Sequence, residues 1–230
     1  MTAIWKGNLS AAHLENLKLM KVKECGKLEN LFPKALAQKA HQLVHLTIMN
    51  CDNMEEIISS EGEQEATGIT TSSNMPPPMC FKNLRKLTIS KCKKIKSILA
   101  LKLVRGLEQL EELVIASCNQ LEEIISMGEE REEEEDQNML PQLKILSLQN
   151  LPNLGTLYKG ELLLKWHSLD ELQVWNCPNL KTLPLDWDGG PELRKFKGQE
   201  EWFNNLNWTN EDIKARLRLL LNKEYVPQLL

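Results

Sequence analysis

Apolar side chains recur along this chain at fixed offsets from a column of cysteines. Cys25 and Cys51 stand 26 residues apart, as do Cys92 and Cys118. The step from Cys51 to Cys92 is 41 and that from Cys118 to Cys177 is 59, with Leu151 where a missing member belongs. Eight residues before the column positions stand Leu17, Leu43, Leu84, Leu110, Leu143 and Leu169. Five before are Met20, Leu46, Leu87, Leu113, Leu146 and Leu172, and three before are Val22, Ile48, Ile89, Ile115, Leu148 and Val174. Three after are Leu28, Met54, Ile95, Leu121, Leu154 and Leu180, and six after are Leu31, Ile57, Ile98, Ile124, Leu157 and Leu183. All thirty positions are apolar. The pair of inward positions before the column alternates with period two, which predicts a short strand with one buried face. Because the step recurs once per unit, the strands are expected to stack in parallel.

The unit reads L-x-x-L-x-[IVL]-x-x-C-x-x-L-x-x-[LI]. It resembles the leucine-rich repeat, L-x-x-L-x-L-x-x-N/C-x-L, with one residue more after the cysteine. The resemblance implies an α/β fold: a right-handed solenoid with one curved parallel β-sheet, a mostly irregular convex side and a C-terminal helical cap. Residues 1–197 read as about six full repeats, and residues 198–230 as the cap.

The two phase jumps place loops at about 59–80 and 127–138. The first is rich in Ser, Thr, Pro and Glu and lacks periodicity. The second holds the acidic run Glu129 to Asp136, which is expected to stay solvated or to meet a basic partner surface. The N-terminus begins inside a unit, with Trp5 in an apolar column, which suggests the C-terminal piece of a longer protein and an open first strand. At the other end Pro191 to Gly198 reads as a seventh, edge strand with Leu193 and Phe196 inward. Trp202, Phe203, Leu206 and Trp208 would cover the last repeat. Thr209 to Asp212 reads as a capping box for a helix over about 210–222, with Ile213, Leu217, Leu220 and Leu221 on one face.

Composition removes several classes. The chain has 230 residues, 28 Lys+Arg against 32 Asp+Glu, and 41 leucines. Without a basic surplus there is no electrostatic case for nucleic acid. No apolar run is long enough for a membrane span and no N-terminal signal pattern is present, so the expected location is cytoplasmic. In that compartment the five column thiols are expected buried and reduced, and no spacing of Cys and His suits zinc. No phosphate loop, nucleophile elbow or metalloprotease motif occurs, so neither an enzyme nor a cofactor is expected. Four residues past the column stand Glu29, Glu55, Lys96, Glu122, Gly155 and Lys181. Parallel stacking would set Lys96 between Glu55 and Glu122 as a charge ladder.

Leu28-Glu-Asn-Leu-Phe-Pro33, Cys118-Asn-Gln-Leu-Glu-Glu-Ile-Ile125 and Cys177-Pro-Asn-Leu-Lys-Thr-Leu-Pro184 are similar to recurrent phrases of plant intracellular disease-resistance proteins of the coiled-coil, nucleotide-binding, leucine-rich-repeat class. The close, Pro191-Glu-Leu through Gly198 with Glu201-Trp202 and Leu206-x-Trp208, resembles theirs too. The resemblance implies a protein-binding module of innate immunity. Its partners would be a pathogen effector, a guarded host protein or a nucleotide-binding domain held inactive. The alternative is a generic repeat scaffold, or the substrate adaptor of a ubiquitin ligase. The expected contact surface is the concave sheet face: Lys21, Lys23, His45, Thr47, Met49, Lys86, Thr88, Ser90, Glu112, Val114, Ser147, Gln149, Glu171, Gln173 and Trp175. Trp175 stands out, since a Trp on a sheet face suits a binding hot spot.

Overall fold

The computed structural model describes residues 4, 14–59, 80–104, 106–127, 139–160, 163–187 and 193–223. In chain order its elements are Leu19–Lys23 (β1), Asn30–Phe32 (β2), Lys34–Ala37 (α1), His45–Met49 (β3), Glu56–Ile58 (β4), Lys86–Ser90 (β5), Ser97–Ala100 (β6), Leu101–Val104 (α2), Glu112–Ala116 (β7), Glu123–Ser126 (β8), Ile145–Gln149 (β9), Thr156–Tyr158 (β10), Glu171–Trp175 (β11), Lys195–Gly198 (β12), Glu200–Asn204 (α3), Glu211–Leu220 (α4) and Leu221–Asn222 (β13). Trp5, most of both loops and the acidic run lie outside the described residues.

One strand per unit enters an eight-stranded sheet in the order β1-β3-β5-β7-β9-β11-β12-β13. Its pairings are parallel and in the register that the period demands. Met20, Leu46, Leu87, Leu113, Leu146, Leu172 and Phe196 stand side by side. Of the thirty periodic apolar positions, all but Leu17, Met20 and Leu183 are buried. Those three belong to the first and last of the six periodic units. The opposite wall carries more order than an irregular convex side. Beside the inward Leu31, Ile57, Ile98, Ile124 and Leu157, short parallel ladders form: β2 with β4, and β6, β8 and β10 together.

The cysteine column marks where each strand ends and the chain turns. The residue before it is left-handed in every unit: Glu24, Asn50, Lys91, Ser117, Asn150 and Asn176, with φ from 52 to 57°. Asn tolerates this region better than most side chains, which accounts for three of the six. The backbone N–H of Glu24, Asn50, Lys91, Ser117 and Asn150 donates to the last strand carbonyl of the next unit, at 2.8–3.0 Å. Each column thiol donates to the carbonyl two residues back, at 3.4–3.5 Å. The site thus wants a small, semi-apolar side chain with a weak donor. All six cysteines are free. Burial pushes the Cys177 thiol up to about 12. Cys25, expected buried, is only half-buried: among the described residues β1 is the first strand of the sheet, with a strand neighbour on one side.

A second stitch runs between units. Asn53, Asn153 and Asn179, two residues past the column, each donate a side-chain N–H to a backbone carbonyl of the preceding unit: Gly26, Asn119 and Pro152, at 2.6–2.7 Å.

The C-terminal close departs from the sequence reading in detail. Leu193 and Phe196 do face inward, but β12 is not the edge: β13 pairs outside it. The sheet therefore runs across the 197/198 division into the cap. The helix begins one residue later than a cap at Thr209 implies. Asn210 is the N-cap, and its side-chain oxygen accepts from Asp212 N–H and Ile213 N–H at 2.9 and 3.3 Å. Leu217 is the buried helix residue, and Leu221 lies past the helix in β13.

Candidate functional site

Alternation along each strand leaves three outward positions, which the register extends across the sheet as rows. The first row is Leu19, His45, Lys86, Glu112, Ile145, Glu171 and Lys195. The middle row is Lys21, Thr47, Thr88, Val114, Ser147, Gln173, Lys197 and Asn222. The third is Lys23, Met49, Ser90, Ala116, Gln149 and Trp175. All fifteen sequence-identified face residues fall on these rows.

Their accessibility differs sharply along the array. Lys21, Lys23 and His45 are exposed; Thr47, Met49, Lys86, Glu112, Gln173 and Trp175 are half-buried. Thr88, Ser90, Val114, Ser147, Gln149 and Glu171 are buried at 0–8% exposure, so they form the floor of the face rather than free contact points. The reason is spacing. Short side chains with neighbours about 4.8 Å to either side retain little surface of their own. Trp175 keeps part of its surface, and its carbonyl accepts from Asn150 N–H at 2.9 Å.

Charge on the face is largely internally paired. Lys86 Nζ lies 2.7 Å from Glu112 Oε1 on the neighbouring strand. Glu171 is held by Lys197 at 2.5 Å and Lys195 at 3.4 Å. Burial alone would raise the Glu171 pKa, but hydrogen bonds from Lys197 and Gln173 and the lysine charges outweigh it. The carboxyl is held below its ordinary range. From Glu171 a directed hydrogen-bond chain crosses the floor. Gln149 Nε2 donates to Ser147 Oγ at 3.0 Å, Ser147 Oγ to Gln173 Oε1 at 3.4 Å, and Gln173 Nε2 to Glu171 Oε1 at 2.6 Å. Two floor atoms, Ser90 Oγ and Gln149 Oε1, are buried without a hydrogen-bond partner.

Lys195 and Lys197 are face residues that the sequence reading misses. The signal for them is Phe196, whose inward register implies that its two neighbours point outward. Elsewhere, a cavity of about 440 Å³ opens between the last repeat and α4, lined by Leu185, Trp187, Trp208 and Ile213 among others, with Asp186 its one charged side chain among the described residues. Among the described residues no group of three or more His, Cys, Asp or Glu is placed to hold a metal ion. No helix there is long and apolar enough to cross a membrane.

Known proteins share this pattern. Residues 1–76 and 63–184 match the family described as plant disease resistance protein RPS2-like, leucine-rich repeats. The Arabidopsis thaliana putative disease resistance protein At4g10780 is 31% identical over 179 residues, covering 74% of this chain and 18% of that protein. Disease resistance protein RPS5 of the same plant is 31% identical over 162 residues, 68% of this chain and 17% of the relative. Disease resistance protein UNI, also from Arabidopsis thaliana, is 29% identical over 200 residues, 83% of this chain and 21% of the relative. Among solved structures, the leucine-rich repeat domain of the type III effector XopL aligns with a TM-score of 0.35 at 19% identity, covering 80% of this chain and 71% of that one, too distant to argue from. The chain thus spans about a fifth of the length of its curated relatives. With the thirty-position period, the in-register sheet and the matched segments together, the chain belongs to the leucine-rich-repeat family of plant disease-resistance proteins.

Proposed function

We propose that this array is a non-catalytic protein-binding module of plant innate immunity, acting in the cytoplasm through the outward face of its eight-stranded sheet. The partner would be a pathogen effector, a guarded host protein or the nucleotide-binding domain of a receptor. The observation that carries the reading is the in-register face itself. A floor of short side chains is flanked by accessible Lys21, Lys23, His45, Thr47 and Met49 at one end and Gln173 and Trp175 at the other. A rigid sheet presents such side chains without further backbone ordering cost, which favours binding.

The test is co-purification of the full chain with the nucleotide-binding portion of a plant disease-resistance receptor. Thr47→Trp with Gln173→Trp, two half-buried outward positions, is expected to cut recovery at least tenfold. Ser97→Trp on β6 of the opposite wall is expected to leave it unchanged. Equal recovery of all three proteins would show that this face is not the contact surface.

A further inference from the structure

We infer that Cys25 and Cys51, the first two members of the cysteine column, form a two-coordinate site for a soft monovalent cation, Cu(I). The first ground is repetition. Cys25, Cys51, Cys92 and Cys118 follow the adjacent strands β1, β3, β5 and β7. Each stands two residues past the end of its strand, after one left-handed residue at φ 54–57°. Each Sγ donates to the carbonyl of its own strand's last residue, at 3.4–3.5 Å. The strands are parallel and in register, so every thiol is a translated copy of the one before. Neighbouring sulfurs therefore inherit the strand spacing of about 4.8 Å.

The second ground is fit. A thiolate–metal bond is about 2.3 Å, so two of them in line span about 4.6 Å. A disulfide needs its sulfurs about 2.05 Å apart, which the strand spacing opposes. Zinc needs four ligands arranged around it. The column is straight and brings two sulfurs to any point between strands. Among the described residues no group of three or more His, Cys, Asp or Glu is placed to hold a metal ion. The geometry thus suits an ion satisfied by two thiolates in line, and soft sulfur ligands select Cu(I).

The third ground is access and charge. Cys25 is half-buried, whereas Cys51, Cys92 and Cys118 are buried. An ion arriving beside Cys25 meets the first pair before any other. Burial, and then the neighbouring Cys51 thiol, push the Cys25 pKa up, and the Cys92 thiol and burial do the same for Cys51. Both groups are therefore thiols at neutral pH. Binding breaks two S–H bonds, forms two Cu–S bonds and releases two protons to solvent. The loaded site carries one negative charge, which water at Cys25 stabilises and the deeper pairs would leave buried. Two released protons make the affinity rise about a hundredfold per pH unit.

The experiment is a titration of the full, reduced chain without oxygen, using Cu(I) held by a coloured chelator and reading the loss of its colour. One Cu(I) per chain is expected, with affinity about a hundredfold higher at pH 7 than at pH 6. X-ray absorption of the copper is expected to show two sulfur neighbours. Cys25→Ser is expected to weaken binding at least a hundredfold. Cys177→Ser, whose neighbour in the column is Leu151 rather than a thiol, is expected to leave it within threefold. Zn(II) in tenfold excess is expected not to displace the copper. Failure of the chain to take Cu(I) from the chelator would overturn the inference. So would equal losses in the two variants, which signal thiol count alone, or undiminished binding in Cys25→Ser, which places the ion elsewhere. Three or more sulfur neighbours, or displacement by Zn(II), would also overturn it. The sulfur count and the pH dependence are read on the natural chain, so they stand even if a variant fails to fold.

Discussion

The interior units and the C-terminal close solve the same problem with different chemistry. Inside the array, the backbone bonds and apolar contacts of a unit's strand are met by the equivalent positions of its neighbours. The left-handed residue's N–H finds the next strand's last carbonyl, and Leu113 finds Leu87 and Leu146 on either side. At the last repeat, each such group is replaced by something else. Asn176 N–H is met by the Gln199 side-chain oxygen at 2.9 Å, because the backbone there leaves the sheet to start α3. Gly198 stands where earlier strands have Val, Ile or Leu. An added Cβ would sit 2.9 Å from the Val174 carbonyl, with the Trp202 ring 3.6 Å away. Trp202 then donates to Leu180 O at 2.9 Å and packs edge-on against Phe196, which also meets Phe203. A repeated interface needs one rule, whereas an end needs a set of unique residues. Stability in such an array is a sum of unit and nearest-neighbour contributions, so damage at these two places should spread differently.

The largest expected effects set the two regions directly against each other. Phe203→Ala removes a fully buried ring from the close and should cost about 3–5 kcal/mol. Leu113→Ala at the centre of the sheet should cost about 2–5 kcal/mol. Hydrogen exchange separates them: protection should be lost around β11 to β13 in the first variant and on both sides of β7 in the second. Loss spread over the whole chain in both would mean that the array unfolds as one unit, and the contrast between interior and end would not hold.

Next in size is an acid effect confined to the C-terminal part of the face. The folded-state pKa of Glu171 lies below its unfolded value. Its contribution is therefore fully present above the unfolded pKa and is lost as pH falls through the depressed folded one. The melting temperature of the natural chain should fall more on acidification through the carboxylate range than that of Glu171→Gln. Parallel curves for the two proteins would refute the pairing with Lys195 and Lys197.

Much of the interior is legible in the sequence, and little of the close is. The period of 26 fixes register and burial through one short motif, and it repeats often enough to be recognised, whereas the left-handed residue before each column position shows only in the structure. The ladders on the opposite wall are only three or four residues per unit, too short for alternation to declare itself. Asn210 rather than Thr209 caps α4; the two adjoining residues are both N-cap formers, with Asn the stronger, so the sequence leaves the start open by one residue. On the face, the rows are readable from the period, but the burial of Thr88, Ser90 and Gln149 is not. It depends on what stands beside each residue across strands rather than along the chain.

The asparagine stitches offer a smaller test of the repeat interfaces. Asn153→Ala and Asn179→Ala each remove one hydrogen bond to the preceding unit and should cost about 0.5–1.5 kcal/mol in thermal or urea unfolding. If the stitch is a general device of the interior, Gln120→Asn, at the same offset from the column where the repeat lacks Asn, should raise stability by a few tenths of that.

The smallest effect concerns the exposed charges, where column spacing alone sets the ladder in the wrong register. It predicts that Lys96 bridges Glu55 and Glu122. The structure pairs Glu55 with Lys94 at 3.5 Å and Glu122 with Lys159 at 3.9 Å, while Lys93 reaches Asp52 at 2.8 Å. Equal offsets from the column place the backbones of residues 55, 96 and 122 in line: Glu122 N–H donates to Lys96 O at 2.9 Å. A long side chain, however, need not follow its own column, and Lys94 stands two residues nearer the turn. Both members of each pair are substantially exposed, so each contributes about 0.2–1 kcal/mol and is screened by salt. Lys94→Glu should therefore lower the melting temperature more than Lys96→Glu, with the difference shrinking at high salt. The reverse order at low salt would restore the in-column ladder, and a difference that persists in high salt would point to packing of the lysine stem rather than to charge.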